Sequence, residues 1–193
     1  KTETYNSDEL KDLNQYLDCM YTETEDTAFL AVKLNFLLGL RVGELVALKW
    51  DDYININHLH IVREEVRNQV TNRYEVVEHT KTNRDRFVVL VPKAINILQK
   101  IGQTGDYIFM RDGERLTSRQ IAYVLEKYAE RQGLSTKSTH KMRKTFASNL
   151  NASGVPLDCI RELLGHSNLN TTLGYIYNPL TEKETYDLIS KAL

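Results

Sequence analysis

A strongly apolar segment between Asp26 and Gly39 limits the fold of this chain more than any other feature. Its large side chains are Phe29, Leu30, Val32, Leu34, Phe36, Leu37 and Leu38. A helix this apolar needs to be covered by other elements. A glycine such as Gly39 is a typical helix end. We therefore predict a central core helix over Asp26–Leu38, around which the remaining elements pack.

The length and composition are those of one globular domain. The chain has 193 residues, of which 41% are hydrophobic and 26% charged. This excludes disorder and collagen-like arrays, and the absence of a long apolar run or leader gives no reason to expect a membrane association. Cys19 and Cys159 are too far apart in sequence to suggest a metal or disulfide framework, which suits a reducing cytosol. Because the chain starts at Lys1, we expect a fragment or a processed form.

Positive charge is concentrated in one part of a chain whose net charge is −1. Residues 111–145 carry nine basic and four acidic side chains, whereas residues 1–30 carry two and eight. A one-sided basic patch would suit a phosphate backbone, and a solvated helix surface of mixed charge is the alternative. The basic residues are Arg111, Arg115, Arg119, Lys127, Arg131, Lys137, Lys141, Arg143 and Lys144.

Capping and turn signals predict several further helices. Ser7 should cap a first helix that runs to about Met20, and a short helix over Val42–Leu48 should follow the central one. Pro92 starts another, because a proline at the first helical position loses no hydrogen bond. The remaining predicted helices are Thr117–Gln132, Thr139–Ala152, Pro156–Leu163, Asn170–Ile176 and Thr181–Ala192.

Three short strands are predicted at His60–Arg63, Tyr74–Val77 and Arg86–Val91. The polar connection after Thr80 is turn-forming, so the second and third strands should form a hairpin with Lys81 near its tip. The predicted fold class is α+β, mainly helical with a small three-stranded antiparallel sheet.

The first two candidate site groups lie after the central helix and in the predicted hairpin. Arg41 directly follows the core helix, and Glu44 lies three residues later on the same helix face. The two form either a structural ion pair or a half-buried guanidinium held toward an anion. Lys81 is solvated surface unless a reaction needs a proton donor there.

The other two groups lie in the C-terminal third. His140 and Arg143 share one face of a predicted helix whose N-terminus suits an anion, and a basic helix surface is the alternative. His166 follows Gly165, a typical helix C-cap. Tyr175 lies nine residues further on a predicted short helix, although a tyrosine in a chain with 11 of them could equally belong to the core.

Other catalytic or metal-binding patterns are weak or missing. His58 and His60 have a spacing found in metal sites, yet without a third ligand they fit a strand surface. The chain has no glycine-rich phosphate loop, serine nucleophile elbow or His-Glu-x-x-His motif. Its acids do not cluster as a two-metal nuclease requires.

Taken together, these groups resemble the catalytic domain of tyrosine recombinases, most closely that of integrases of phages and conjugative transposons. The matching motifs are Gly-Leu-Arg-x-Gly-Glu-Leu, Leu-Lys-Trp-Asp-Asp, Thr-Lys-Thr, His-Lys-Met-Arg and Leu-Gly-His-Ser…Thr-Thr…Tyr, in that order along nearly the whole chain. The resemblance implies this family's catalytic domain fold for residues 1–180 and a C-terminal helical tail for residues 181–193. It also implies that an N-terminal core-binding domain, absent from this chain, precedes it.

The resemblance further implies DNA breaking and rejoining without a metal or other cofactor. Tyr175 would attack the scissile phosphate and leave a 3′-phosphotyrosine and a free 5′-OH. Lys81 would act as the general acid and His140 as the base. The transition state would be stabilised by Arg41, Arg143 and His166, with Glu44 in support.

Double-stranded DNA is the implied partner. The expected DNA contacts are Arg84, Arg119, Lys137, Lys141 and Lys144. We expect a homo-tetramer on paired sites for the full-length protein and a monomer for this fragment, in the cytoplasm of a bacterial host. The function would be integration or excision of a mobile element. The alternatives are type IB topoisomerase-like strand passage, or a DNA-binding regulator, which would need none of the six catalytic residues.

Overall fold

The computed structural model describes residues 4–55, 57–81 and 85–192 and confirms a mainly helical α+β fold. The helices are α1 (Ser7–Thr24), α2 (Thr27–Leu38), α3 (Val42–Val46), α4 (Pro92–Ile101), α5 (Ser118–Gln132), α6 (Thr139–Ala152), α7 (Leu157–Leu164), α8 (Leu169–Leu173) and α9 (Glu182–Ala192). The strands are β1 (Tyr53–Asn55), β2 (His58–Ile61), β3 (Glu64–Arg67), β4 (Tyr74–Val77), β5 (Arg86–Val89), β6 (Met110–Arg111) and β7 (Glu114–Arg115). Within the described ranges, no helix is both long and apolar enough to cross a membrane.

Helix α2 is the predicted central helix. The Asp26 carboxylate caps it by accepting a hydrogen bond from Ala28 N–H at 2.9 Å, and Gly39 ends it with a φ of 62°. It packs against α1, α4, α5 and α6, so that apolar residues on several of its sides are buried. The sequence therefore predicts this helix correctly, because burial on many sides leaves no need for a polar face.

Helix α1 begins and ends differently from the prediction. Asn6, not Ser7, is the N-cap: its side chain accepts a hydrogen bond from Glu9 N–H, and the Glu9 carboxylate accepts one from Asn6 N–H, both at 2.9 Å. This reciprocal pair satisfies two backbone donors that Ser7 alone would leave unpaired. The helix continues beyond Met20 to Thr24.

Two short helices end earlier than predicted. Helix α3 stops at Val46 instead of Leu48, and α8 stops at Leu173 instead of Ile176. Tyr175 consequently lies in the turn beyond α8 and not on a helix. The remaining predicted helices match the observed bounds to within one residue, the usual uncertainty of helix ends.

The predicted hairpin between β4 and β5 is wrong. Strand β4 pairs antiparallel with β3, and β5 pairs antiparallel with β2. The three-stranded antiparallel sheet has the order β1–β2–β5, and two separate two-stranded sheets are formed by β3–β4 and β6–β7. Lys81 therefore lies on a connection between two sheets and not at a hairpin tip. Strand β3 was not predicted, because Glu64 and Glu65 give it the composition of a solvent-exposed segment. In the structure both side chains are buried.

The hydrophobic interior has two parts. The main core surrounds α2 and includes side chains from α1 to α6 and from the three-stranded sheet. A smaller cluster consists of Phe146, Ala147, Ile160 and Leu164, and Tyr175 packs against it. Helix α6 contributes to both clusters, so it links the central helix to the C-terminal part of the chain.

Candidate active site

An open cleft of about 540 Å³ brings together all six residues that the sequence marks for catalysis. Its lining includes Arg41, Lys81, His140, Arg143, His166 and Tyr175. They come from the N-cap of α3, the connection before β5, the first turns of α6, and the turns that follow α7 and α8. The fold thus joins groups that are up to 134 residues apart in sequence, from Arg41 to Tyr175.

Arg41 and Glu44 form a bonded pair at the start of α3. Arg41 Nη1 donates to Glu44 Oε1 at 2.8 Å, and the Arg41 backbone N–H donates to Glu44 Oε2 at 2.9 Å. The Arg41 side chain is 24% exposed, whereas Glu44 is fully buried. The pair is thus a structural ion pair that also leaves part of the Arg41 guanidinium facing the cleft.

Arg86 is a second partner of Glu44, and it was not among the site residues predicted from the sequence. Its Nη1 and Nη2 donate to the two Glu44 oxygens at 3.0 and 2.6 Å. Burial alone would raise the pKa of the Glu44 carboxyl, but the hydrogen bonds and charge of Arg86, with the charges of Arg143 and Arg41, lower this pKa to about 2. Arg86 and Val88 share the buried face of β5. The available sequence signal was therefore an arginine in register with an apolar residue of a predicted strand.

Arg143 is almost completely buried, with 1% of its surface exposed. Its Nη1 donates to the Gly39 carbonyl at 2.6 Å, and its Nη2 donates to the Leu164 carbonyl. Desolvation lowers the pKa of this guanidinium to about 10, with a smaller opposing effect from Glu44. Gly39 is required at its position, because a Cβ there would lie 2.2 Å from the Phe146 ring on α6.

His166 lies in the turn after α7, next to the C-cap Gly165. Its Nδ1 is 3.0 Å from Thr172 Oγ1. Desolvation, with the positive charges of Arg143 and nearby arginines, lowers the pKa of His166 to about 4, so the ring is neutral at neutral pH. Across the described residues, His166 Nε2 and Arg143 Nε are both buried without a hydrogen-bond partner. Unpartnered buried polar atoms are unusual in a folded protein, and these two belong to side chains of the candidate site.

The Tyr175 ring is held between two histidines. Its centroid lies 4.6 Å from that of His166 and 4.8 Å from that of His140, both in edge-to-face geometry. The Arg143 guanidinium lies 5.8 Å from the Tyr175 centroid. His140 is exposed to solvent, but partial burial by its neighbours still lowers the pKa of its ring. The positive charges of Lys144 and of other nearby cations lower this pKa further. A neutral imidazole next to a phenol is able to accept its proton.

Two residues of α6 contact the segment from Tyr175 to Tyr177. Ser148 Oγ donates to the Tyr175 carbonyl at 3.2 Å and accepts from Tyr177 N–H at 2.9 Å. Lys144 Nζ lies 3.3 Å from the Tyr177 hydroxyl, to which it donates, and 4.7 Å from the centroid of that ring. Ser148 was also not among the predicted site residues, because a buried serine inside a helix carries no distinctive sequence pattern.

Two acids also line the cleft. Glu65 Oε2 accepts from Arg115 Nη1 at 2.6 Å, and its other oxygen accepts from Ser118 N–H at 2.8 Å. Glu64 is buried, and desolvation raises the pKa of its carboxyl. Lys81 is exposed at this end of the cleft, as expected for a side chain on a connecting segment.

The residues predicted to contact DNA have varied surroundings. Arg119 Nη1 donates to Glu126 at 2.5 Å, and Lys137 Nζ donates to Glu9 at 2.5 Å. Lys144 contacts the tyrosine segment described above, and Lys141 is half-buried in the first turn of α6. Arg84 lies outside the described residues.

Much of the basic stretch from 111 to 145 is neutralised within the domain. Arg111 pairs with Asp26, and Lys127 with Glu130 at 2.6 Å. Arg115, Arg119 and Lys137 also form ion pairs with carboxylates of this chain, and the paired cations lie on several different elements. The stretch is therefore not a continuous row of unpaired cations.

The weaker metal-site candidate has local partners. His58 Nδ1 lies 3.0 Å from Asn55 Oδ1, and the His60 ring stacks on Phe87 at 4.5 Å. In the part of the chain that the structure describes, no group of three or more histidine, cysteine or acidic side chains could hold a metal ion. Cys19 and Cys159 are both free and exposed.

Comparison with known proteins gives consistent matches. Residues 3–184 match the model of the phage integrase family. Tyrosine recombinase XerA of Thermococcus kodakarensis is 34% identical over 161 residues, which cover 79% of this chain and 50% of that protein. Tyrosine recombinase XerC of Haemophilus ducreyi is 31% identical over 175 residues, which cover 86% and 52%. The chain thus spans about half the length of the curated relatives it matches.

Solved structures show the same fold. The Tn1549 transposon integrase in complex with circular intermediate DNA has a TM-score of 0.75 at 18% identity, covering 100% of this chain and 68% of that one. XerH recombinase in a post-cleavage complex with palindromic difH substrate has a TM-score of 0.70 at 21% identity, covering 98% and 52%. The XerA recombinase structure has a TM-score of 0.69 at 20% identity, covering 98% and 62%.

Proposed function

Because the chain belongs to the phage integrase family, we propose that it is the catalytic domain of a site-specific DNA recombinase. The observation that carries this proposal is the position of Tyr175 between two histidine rings, in a cleft that Arg41 and Arg143 also line. A tyrosine beside two neutral imidazoles and two guanidiniums has what phosphoryl transfer to a protein nucleophile needs: a base, charge stabilisation and a fixed position.

The proposed cleavage step conserves the energy of the phosphodiester bond. Tyr175 Oη forms a bond to the scissile phosphorus, and its proton passes to His140. The bond from phosphorus to the 5′-oxygen breaks, its electron pair stays on that oxygen, and Lys81 supplies a proton there. The products are a 3′-phosphotyrosine and a free 5′-OH. Attack by a 5′-OH from another strand reverses the step and completes the exchange.

The buried cations and donors are suited to the transition state. Arg41 and Arg143 would hold the non-bridging oxygens, and His166 would add a further donor. The lack of hydrogen-bond partners at Arg143 Nε and His166 Nε2 among the described residues supports a role for these two side chains toward the phosphate. Donors that are already positioned and desolvated need little reorganisation as negative charge develops. In this proposal the two guanidiniums supply the positive charge that a metal ion supplies in other phosphoryl-transfer enzymes.

The proposed substrate is double-stranded DNA, in keeping with the DNA complexes of the Tn1549 integrase and XerH. Residues 1–180 would form the catalytic domain and residues 181–193 a tail, preceded in the full-length protein by a core-binding domain. Exchange between two duplexes requires four cut strands and one tyrosine for each, so the full-length protein would act as a tetramer on paired sites. It would serve a mobile element in a bacterial cytoplasm. The isolated fragment would be a monomer.

A suicide DNA substrate tests the proposal. A nick beside the cleavage position lets the short 5′-OH fragment diffuse away, so that the covalent intermediate accumulates. DNA from the ends of the element that encodes the chain should yield, with the full-length protein, an adduct that survives denaturing electrophoresis. A two-site recombination assay and a supercoil-relaxation assay then separate a recombinase from a topoisomerase. Failure to form an adduct on any such DNA would contradict the proposed function.

A further inference from the structure

Arg86 connects two elements that carry residues of the candidate active site. It is buried, and it lies at the start of β5, five residues after Lys81. Its two terminal nitrogens hold the Glu44 carboxylate, and Glu44 in turn holds Arg41. Its Nε donates to the Leu163 carbonyl at 2.8 Å, in the last turn of α7. One guanidinium therefore uses all three of its nitrogens to join α3, β5 and α7.

The contact of Arg86 with α7 lies next to the turn that carries His166. Arg86 donates to the Leu163 carbonyl, and Arg143 donates to the Leu164 carbonyl. Both carbonyls lie at the C-terminal end of α7, where no later helical N–H is available to bond to them. The chain then turns at Gly165, whose φ is 64°, and a Cβ at this position would lie 3.0 Å from Arg86 Cδ. The turn that presents His166 is thus packed directly on the Arg86 side chain.

We infer that Arg86 is a positioning residue for the proposed cleavage reaction, acting on Arg41 through Glu44 and on His166 through the end of α7. This inference rests on the proposed function, which assigns Arg41 and His166 to the transition state. Arg86 itself does not line the cleft in the described residues. Its role is to balance the charge of Glu44 so that this carboxylate does not draw Arg41 or Arg143 away from the phosphate.

Charge balance makes a specific prediction for two substitutions. Arg86→Met leaves a buried carboxylate with too few partners, and Glu44→Gln leaves three clustered arginines without their counter-charge. Each change alone should lower the rate of adduct formation, by about 100-fold if groups move by about 1 Å. The double variant restores the charge balance and should be faster than Arg86→Met alone, because directly coupled residues are not additive. Arg86→Lys, which keeps the charge but not the three contacts, should lose less than Arg86→Met.

The matched control is Arg63→Met, which breaks a different arginine–carboxylate pair that is less buried than the pair of Arg86 with Glu44. Arg63 Nη1 donates to both Asp52 oxygens, at 2.8 and 2.7 Å, and neither residue lines the cleft. All variants are made in the full-length protein, and thermal melts set a temperature at which each is folded. Rates of adduct formation are then measured at saturating suicide DNA. DNA affinity is measured in parallel, and it should stay within a few-fold of wild type for every variant.

A second readout does not depend on cleavage. Besides Arg86, the groups that face His166 are Arg143, Arg41, His140 and Tyr175. Removing the Arg86 charge should raise the pKa of His166 in an NMR titration, and Arg63→Met should not.

The outcomes separate the inference from the proposed function. If Arg86→Met cleaves as fast as Arg63→Met, or the double variant is no faster than Arg86→Met, the positioning role is wrong while the recombinase assignment stands. If the wild-type protein forms no adduct, the proposed function fails. An unchanged His166 titration in Arg86→Met would then overturn the placement of Arg86 as well.

Discussion

Ser148 donates a hydrogen bond from its hydroxyl to the Tyr175 carbonyl at 3.2 Å. The same oxygen accepts the Tyr177 N–H, so one buried serine holds the backbone on both sides of Ile176. Ser148 belongs to α6, the helix that also carries His140 and Arg143. The proposed nucleophile is thus fixed to the element that presents two of its partners, although it lies outside any helix itself.

Ser148→Ala should slow cleavage without weakening DNA binding. The substitution removes the two hydrogen bonds that join this segment to Ser148, and a displacement of about 1 Å at a reacting group costs up to about 100-fold in rate. Single-turnover adduct formation on a suicide substrate measures the effect. Ser153→Ala, which removes an exposed hydroxyl at the end of the same helix, should behave like wild type. Equal rates for both variants would show that the serine does not position the tyrosine.

Tyr175→Phe should bind DNA and form no covalent adduct, whereas Tyr177→Phe should still form it. Tyr175 lies between the two histidine rings, while Tyr177 is 37% exposed and its hydroxyl accepts from Lys144. Because neither tyrosine is on a helix, it is this difference in contacts, and not a helical direction, that selects Tyr175. Denaturing gels of trapped complexes give the measurement. An adduct with Tyr175→Phe that disappears in Tyr177→Phe would reassign the nucleophile.

Lys81→Ala should lose on the order of 10²–10⁴ in cleavage rate, the usual contribution of a general acid. The loss should disappear when sulfur replaces the bridging 5′-oxygen, because a thiolate leaves without a proton. Arg41→Ala should gain little from the sulfur substrate, since it is proposed to act on the non-bridging oxygens. A Lys81→Ala protein that is slow on both substrates would mean that the lysine positions DNA. One that is normal on both would place it outside the reaction.

The sequence predicted those elements of the fold that are determined by residues close together in the chain. The core helix follows from its apolar side chains, and the C-cap at Gly165 follows from a single glycine. The motifs that resemble tyrosine recombinases named the six residues that meet in one cleft. No local pattern showed that these residues would meet, so the resemblance supplied that part of the prediction.

The features that could not be predicted from the sequence depend on ion pairs between residues far apart in the chain. Strand β3 contains Glu64 and Glu65, and Glu65 is buried because Arg115, 50 residues later, neutralises it. Without that partner, the segment has no propensity for a buried strand, and β4 was therefore assigned to the wrong neighbour. Arg86 was missed for the same reason, since its partner Glu44 is 42 residues away.

The folded domain should lose stability in acid partly through His166. Its pKa in the folded state is about 4, chiefly because of desolvation, whereas an unperturbed histidine has a pKa of about 6.5. Between these values the unfolded chain binds a proton that the folded chain does not, so the free energy of unfolding falls as the pH falls. Urea melts from pH 7 to about pH 4 should show a shallower fall for His166→Gln than for wild type. Parallel curves would contradict the burial of a neutral His166.

Removing residues 181–193 should impair or deregulate recombination by the full-length protein. The start of α9 is tied to its own domain by a hydrogen bond from Ser7 to Glu184 at 2.5 Å. Beyond it, Tyr186, Leu188 and Ile189 are 71%, 52% and 54% exposed, an apolar stripe suited to a neighbouring protomer.

Two-site recombination assays and sedimentation of the protein on DNA measure the effect of the truncation. Ser7→Ala is the control, because it removes the contact within the chain and leaves the apolar stripe intact. If the truncated protein assembles and recombines like wild type, the tail has no regulatory role.

The division of the interior into two clusters has a consequence for the order in which the parts of the candidate site open. Tyr175 packs on the small cluster around Phe146 and Ile160, whereas Arg41 is anchored beside the main core. Segments with fewer buried contacts open more readily than a core does. We therefore expect the tyrosine segment to exchange its amide hydrogens well before α2. In the proposed recombinase, the cutting residue would thus lie on the part of the fold that opens first while Arg41 stays anchored, so that binding DNA would not by itself commit a strand to cleavage.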